Sequence, residues 1–111
     1  MSDATEADGA DNRASLEELQ IEFNREAETN KRVAAEIAYA LAFRYRNEDV
    51  AGVRHFDIAK AWANRAIDLL ESLPSNTLDE VVSTRASIGG VPLPELMHAG
   101  VVRERLNDVL A

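Results

Sequence analysis

The sequence contains no cysteine, and this absence excludes two classes of protein. Without thiols the chain can form neither a disulfide framework nor a thiolate-ligated metal site. It also lacks any run of about 18 to 20 apolar residues, the length that spans a bilayer. Residues 1–14 carry no basic start and no apolar stretch, so no signal peptide is expected. We therefore expect a cytoplasmic protein that has no membrane attachment.

Aromatic residues are scarce: the 111 residues include one tryptophan, two tyrosines and three phenylalanines. Hydrophobic residues nonetheless make up 46% of the chain, and alanine supplies many of them. Alanine buries little area, so a core of this composition depends on helices that approach each other closely. The one tryptophan, Trp62, is expected inside that core beside Phe56 and Tyr45.

Basic residues are few and scattered. The chain has 12 Lys and Arg against 20 Asp and Glu, which gives a formal net charge of −8. Phosphate backbones are bound by clustered lysines and arginines, so we expect no direct binding to nucleic acid. Residues 1–14 are acidic and lack large apolar groups, and we predict a disordered tail there. Residues 15–111 are predicted to form a single helical domain.

Apolar residues recur at helical spacing through most of the chain. Ser15 and Glu18 fit a capping box, which marks the start of a helix. No glycine or proline lies within residues 16–47, so we expect one long helix there, about 48 Å in length. The alternative is a break near Thr29-Asn30, where either residue could cap a second helix.

Three further helices are expected after a turn at residues 46–52. The second helix, about 53–73, has the strongest apolar stripe and ends before Pro74. A short third helix is predicted over 78–85. A fourth is predicted to begin at Pro94, and because Gly100 weakens it, two shorter pieces are the alternative. The predicted fold is all-α with about four helices: a long N-terminal helix, its antiparallel hairpin partner and two shorter C-terminal helices.

The helix pair at 31–74 carries a family-like pattern. Four residues of its first helix have the spacing seen in the first helix of a tetratricopeptide repeat: Ala38, Leu41, Ala42 and Tyr45. The segment resembles one such repeat, which implies two antiparallel helices packed through small residues. It departs from the family at Ala38, where a large aromatic residue is usual, and at Ala63, where phenylalanine is usual. The resemblance covers one repeat, and residues 75–111 do not continue it.

No group of residues in the sequence predicts an active site. Glu95 and His98 have the Glu-x-x-His spacing of di-iron bundles, but such a site needs a second motif and two more carboxylates. His55 and Asp57 could be a base and its orienting carboxylate, although a histidine near a helix start is more often solvated or capping. Neither the serines nor the glycine pair at 89–90 stand in a nucleophile or phosphate-binding motif. We predict no enzyme activity, no cofactor and no metal.

The long predicted helix is the main argument for an interaction role. We expect the other helices not to reach the apolar residues at its far end, while the proline-fixed segment near residue 92 is either a connector or a docking loop. The residues predicted to bind a protein partner are Leu16, Leu19, Phe23, Val91 and Leu93. The leading hypothesis is a non-catalytic adaptor that pairs through apolar helix faces and forms a homodimer.

Two other functions remain open at this point. The first is an acidic decoy that occupies the nucleic-acid-binding surface of a target, which a small chain of charge −8 could do. The second is a helical bundle that binds an apolar ligand, with no particular residue behind it. Strong salt dependence of partner binding favours the decoy, and weak dependence favours an apolar interface.

Overall fold

The computed structural model describes residues 14–73 and 82–111, and the chain is mostly helical, as predicted. Within these ranges the elements follow the order α1 Leu16–Glu26, α2 Lys31–Asn47, β1 Asp49–Val50, β2 Val53–Arg54, α3 Phe56–Glu71, β3 Ser87–Ile88, β4 Val91–Pro92, α4 Ala99–Arg105 and α5 Asn107–Leu110. No helix of the described ranges is long and apolar enough to cross a membrane. Residues 1–13 of the predicted tail lie outside the described residues, and so does Pro74, which was predicted to end the second helix.

The region predicted as one long helix is in fact two helices, so that prediction was wrong. The carbonyl of Glu26 accepts the backbone N–H of Thr29 at 3.1 Å and that of Asn30 at 2.8 Å, which closes the end of α1. The side chain of Asn30 then accepts the N–H of Val33 at 3.2 Å and caps the start of α2. This is the alternative that the sequence left open for Thr29-Asn30.

The break allows α1 to lie against α2. Ser15 caps α1 as predicted: its hydroxyl accepts the N–H of Glu18 at 3.0 Å, and the Glu18 carboxylate accepts the N–H of Ser15 at 2.9 Å. Further along, the side-chain amide of Gln20 donates to the hydroxyl of Tyr45 in α2 at 2.7 Å. The capping box is therefore confirmed, although the helix that it starts is 11 residues long.

α2 is the central helix of the fold. Residues 34–42 are buried on every face, which is the pattern of a helix surrounded by other elements. Small residues predominate where α2 and α3 are buried: Ala34, Ala35, Ala38, Ala40, Ala42, Ala59, Ala63 and Ala66 are all fully inaccessible. This burial agrees with the close helix packing that the alanine-rich sequence predicts.

A tight turn reverses the chain between α2 and α3. Strands β1 and β2 pair antiparallel, with Val50 opposite Val53. The two residues between them, Ala51 and Gly52, have φ angles of 56° and 82°. Turns of this kind need positive φ at both central residues, which glycine adopts freely and alanine does not. Among the described residues, Ala51 is the one non-glycine residue with positive φ.

The segment before α4 differs most from the prediction. The third predicted helix is absent over 82–85, and its first part, 78–81, lies outside the described residues. Val82 bridges Leu96, and the N–H of Ser83 donates to the carbonyl of Glu95 at 3.0 Å. Because these backbone groups pair with each other, neither stretch is free to form a helix.

The last predicted helix begins later than expected and is split. It starts at Ala99 and not at Pro94, with the Nδ1 atom of His98 accepting the N–H of Gly100 at 3.2 Å. A break at Leu106 separates α4 from α5. The C-terminal region is thus one extended segment followed by two short helices.

Two glycines form the turn at which the extended segment reverses its direction, and this turn lies close to α1. Strands β3 and β4 pair across Gly89 and Gly90, whose φ angles are 55° and 87°. A Cβ atom at position 89 would lie 3.1 Å from both Leu19 of α1 and Arg44 of α2. A side chain at position 89 would be strained by the positive φ angle and would require the ends of the Leu19 and Arg44 side chains to shift.

We expect Ala51→Asn to raise the free energy of unfolding by about 1 kcal/mol, because asparagine tolerates the left-handed conformation better than alanine. The measurement is urea denaturation of the full chain. Ala61→Asn is the matched control, since Ala61 is exposed within α3 and asparagine is a poorer helix former there. A loss of stability in both variants would contradict the positive φ angle of Ala51.

Candidate functional site

The five residues predicted to bind a partner are largely covered by the chain itself. Leu19 and Phe23 are 2% and 4% exposed, so they belong to the core. The other three are partly buried and pack against the same core: Leu16, Val91 and Leu93. The expectation that the far end of the first helix lies uncovered is therefore wrong. The physical reason is the break at residues 27–30, which allows α1 to pack against α2.

The aromatic contacts also differ from the prediction. The ring of Phe23 meets that of Trp62 edge to face, with centroids 4.9 Å apart. The guanidinium of Arg65 lies over both rings, 5.5 Å from the centroid of Phe23 and 5.4 Å from that of Trp62. Trp62 is half-buried in this cluster, while Phe56, one of its expected neighbours, is 53% exposed.

Among the candidate catalytic and metal-binding side chains, the two histidines contact the local backbone. Glu95 and His98 precede α4, so they do not share the helix face that a di-iron motif requires. The Nε2 atom of His55 lies 3.3 Å from the carbonyl oxygen of Val50 in the turn. In the described ranges no group of three or more His, Cys, Asp or Glu side chains is placed to hold a metal ion.

Tyr39 is one of two buried tyrosines, and burial changes the pKa of its hydroxyl. Burial raises the pKa of the Tyr39 hydroxyl above its ordinary value, while the charge of Arg105 and a hydrogen bond from it act in the opposite direction. The net shift keeps the phenol neutral at physiological pH. Its ring packs against that of Phe43 at 5.0 Å, which is a structural role.

Glu36 was not singled out in the sequence, yet among the described residues it is the one charged side chain that is fully buried. Its carboxylate accepts two hydrogen bonds from Thr84, one from the N–H at 2.7 Å and one from the hydroxyl at 2.6 Å. A buried carboxylate is tolerated when its oxygens are satisfied in this way. These two hydrogen bonds attach the extended C-terminal segment to α2.

Arg44 provides a second attachment for the same segment. Its guanidinium donates to the carbonyl of Gly89 at 3.1 Å and to that of Ala14 at 2.6 Å, and it also pairs with Glu48. One side chain of α2 therefore holds the β3–β4 turn and the start of the described chain together. Glu36 and Arg44 are structural residues, and they explain why the C-terminal segment is held against α1 and α2.

The exposed apolar residues indicate where a partner could bind. Four large apolar side chains are exposed in the described part of the chain: Ile21, Val53, Phe56 and Val82. Val53 and Phe56 lie three residues apart at the turn into α3, where they can form one surface. Ile21 stands among the polar residues of the outer face of α1, and Val82 lies on the extended segment.

A cleft of about 280 Å³ lies beside Phe56. We call this cleft together with Val53 the Phe56 surface; the residues that line the cleft are Arg46, Phe56, Asp57, Lys60, Asp108, Val109 and Ala111. The guanidinium of Arg46 lies 5.0 Å from the centroid of the Phe56 ring, a cation–π contact. The surface therefore has an apolar centre and a rim with two cationic and two anionic side chains.

The turn holds this surface in a fixed shape. The Nε atom of Arg54 donates to a carboxylate oxygen of Asp49 at 2.7 Å, across the β1–β2 pair. The strand pairing and the His55 contact add two more connections within eight residues. A surface that is already ordered loses little conformational entropy when it binds.

A second groove, of about 430 Å³, lies between α1 and α3. Its lining residues are Phe23, Ala27, Lys31, Arg65, Asp68, Leu69 and Ser72. The surface of this groove is mostly apolar, but Phe23 is buried beneath the guanidinium of Arg65 and Leu69 is partly buried. The Phe56 surface differs in that Phe56 and Val53 are themselves more than half exposed.

Comparisons with protein-family models, with curated proteins and with solved structures gave no match for this chain. The likeness of the α2–α3 pair to a tetratricopeptide repeat thus stays a prediction from its own residues. The candidate site is likewise defined by geometry alone.

We expect Thr84→Val to lower the free energy of unfolding by about 1–3 kcal/mol, because it leaves one oxygen of the buried Glu36 carboxylate without a donor. Chemical denaturation of Thr84→Ser, which keeps the hydroxyl, is the matched control and should differ little from the parent chain. Equal losses in both variants would show that the hydroxyl does not bond to Glu36.

We expect Leu19→Ala to destabilise the chain by about 2–5 kcal/mol, as a cavity-forming change in a core does. Ile21→Ala, two residues along the same helix and 56% exposed, should change stability by less than about 0.5 kcal/mol. Thermal and urea unfolding of the two variants make the comparison. If Leu19→Ala were as mild as the control, α1 would not be packed against the core.

Proposed function

We propose that this chain is a non-catalytic protein–protein interaction module whose binding site is the Phe56 surface. The supporting observation is that Val53 and Phe56, three residues apart where the β1–β2 turn leads into α3, are 55% and 53% exposed. Protein interfaces are enriched in aromatic residues and arginine at their centres. Phe56 with Arg46 stacked on its ring has this composition.

The shape of the surface favours a protein over a small molecule. Small-molecule sites are concave pockets that enclose most of the ligand, with volumes of about 300–1,000 Å³. The cleft beside Phe56 is about 280 Å³, and half of the Phe56 side chain faces solvent. A partner protein could cover Phe56 and Val53 together, which a ligand inside the cleft could not.

The distribution of charge favours this function over the acidic decoy. The described residues include fourteen acidic and eleven basic side chains, so they hold three of the eight excess negative charges. The rim of the Phe56 surface is balanced, with Arg46 and Lys60 against Asp57 and Asp108. A decoy for a nucleic-acid-binding groove needs a surface of one sign. The proposal includes a cytoplasmic location, which agrees with a chain that lacks cysteine.

Site-specific photo-crosslinking tests the proposal. A photoreactive phenylalanine analogue replaces Phe56 in one full-length chain and Ile21 in a second, matched chain; both side chains are exposed. Each chain is irradiated in purified form and in an extract of the cells from which the gene comes. We expect position 56 to form defined adducts with a protein, either another copy or a different chain, and position 21 to form few.

Equal adduct yields at the two positions, or no adduct from position 56, would contradict the proposal. Circular dichroism of both labelled chains shows whether the helical fold is kept. Repeating the reaction in high salt separates the interaction module from the acidic decoy, since an apolar interface resists screening and a decoy does not.

A further inference from the structure

We infer that the partner of the Phe56 surface is a second copy of this chain, placed so that the same surface on each copy meets the other around a two-fold axis. This inference rests on the proposed function and adds the identity of the partner. Three observations support it: the rim of the surface has equal numbers of cationic and anionic side chains, its centre is apolar, and the chain as a whole has a negative net charge.

The rim is complementary to itself. In a two-fold interface a residue of one copy faces a different residue of the other, and the reverse contact follows by symmetry. A rim of one sign would therefore repel its own copy. Here Arg46 and Lys60 share the rim with Asp57 and Asp108, so cations of each copy can face anions of the other.

The apolar centre suits the same arrangement. Val53 and Phe56 of one copy could pack on the same pair in the other copy, which would remove four large apolar side chains from water. Aromatic rings that meet in offset or edge-to-face geometry gain beyond the area that they bury. The Arg46 contact holds the Phe56 ring in place before the copies meet.

The net charge of the chain selects where two copies can meet. With a net charge of −8 on each chain, two copies repel each other overall. The balanced rim of the Phe56 surface is a place where this repulsion is small and where an apolar centre compensates it. A strongly basic partner would gain little at a balanced rim, so the charge pattern favours a second copy over such a partner.

Charge-swapped chains provide the test. One full-length chain carries Arg46→Glu and Lys60→Glu, which makes the rim acidic, and another carries Asp57→Lys and Asp108→Lys, which makes it basic. Sedimentation velocity measures the association of each chain alone and of an equimolar mixture. We expect the parent chain to form dimers at about 100 μM, each swapped chain to be monomeric, and the mixture to form dimers again.

Two single variants test the apolar centre. Phe56→Asp should weaken dimerisation at least about tenfold, as loss of a central aromatic contact does. Ile21→Asp, a matched change on the outer face of α1, should leave it unchanged. Circular dichroism of every variant confirms that the helices are formed, so that loss of the dimer is not loss of the fold.

A parent chain that stays monomeric at this concentration would overturn the inference, and so would a mixture that does not recover the dimer. If position 56 then crosslinks to a different protein, the second copy is excluded while the interaction function stands. An adduct within one chain, from position 56 to residues 1–13, would assign the surface to the chain's own N-terminal segment and would overturn both.

Discussion

The central helix imposes the constraint on which the rest of this fold depends. Residues 34–42 of α2 are buried on every face, so each neighbouring element must match what α2 presents to it. Alanines allow α3 to pack closely on one side, and α1 covers another. On a third side Glu36 places a carboxylate in the interior, and the Thr84 amide and hydroxyl satisfy it. These hydrogen bonds, together with the one from Arg44 to the carbonyl of Gly89, hold the C-terminal segment in an extended form against α1 and α2.

The sequence predicts the elements whose signals are local. The capping box at Ser15 and the helical class follow from residue types within one or two turns of helix. The sequence predicts the break near Asn30 only as an alternative, because no glycine or proline marks it. The Asn30 cap alone does not determine whether the helix breaks; the packing of α1 on α2 also favours the break. The two prolines predict that residues 91–94 are extended, but the extended conformation of residues 82–85, where the sequence predicts a helix, could not be predicted. The backbone there pairs with residues more than ten positions away, and tertiary contacts of that kind override local helix preference.

The candidate site shows the same division between local and distant information. Leu19 and Phe23 form an apolar stripe, as predicted, but whether that stripe faces a partner or the core depends on the length of the helix. Because α1 ends at Glu26 and packs against α2, both residues lie in the core. Phe56 was expected inside because it lies on the strongest apolar stripe. Its place at the first turn of α3 leaves it exposed, since the β1–β2 turn sets where the helix begins. Conversely, no local pattern in the sequence distinguishes Glu36 from an exposed helix residue, and its burial depends on the distant contact with Thr84.

The chain therefore has two distinct apolar regions: α1, which completes the core, and the Phe56 surface, which we propose faces a partner. Backbone amide chemical shifts of the isotope-labelled chain, followed by NMR from dilute to concentrated solution, distinguish the two most directly. We predict concentration-dependent shifts confined to residues 46–60 and 108–111, with α1 unchanged. Shifts centred on residues 16–26, or none at any concentration, would contradict the proposed division between core and interface.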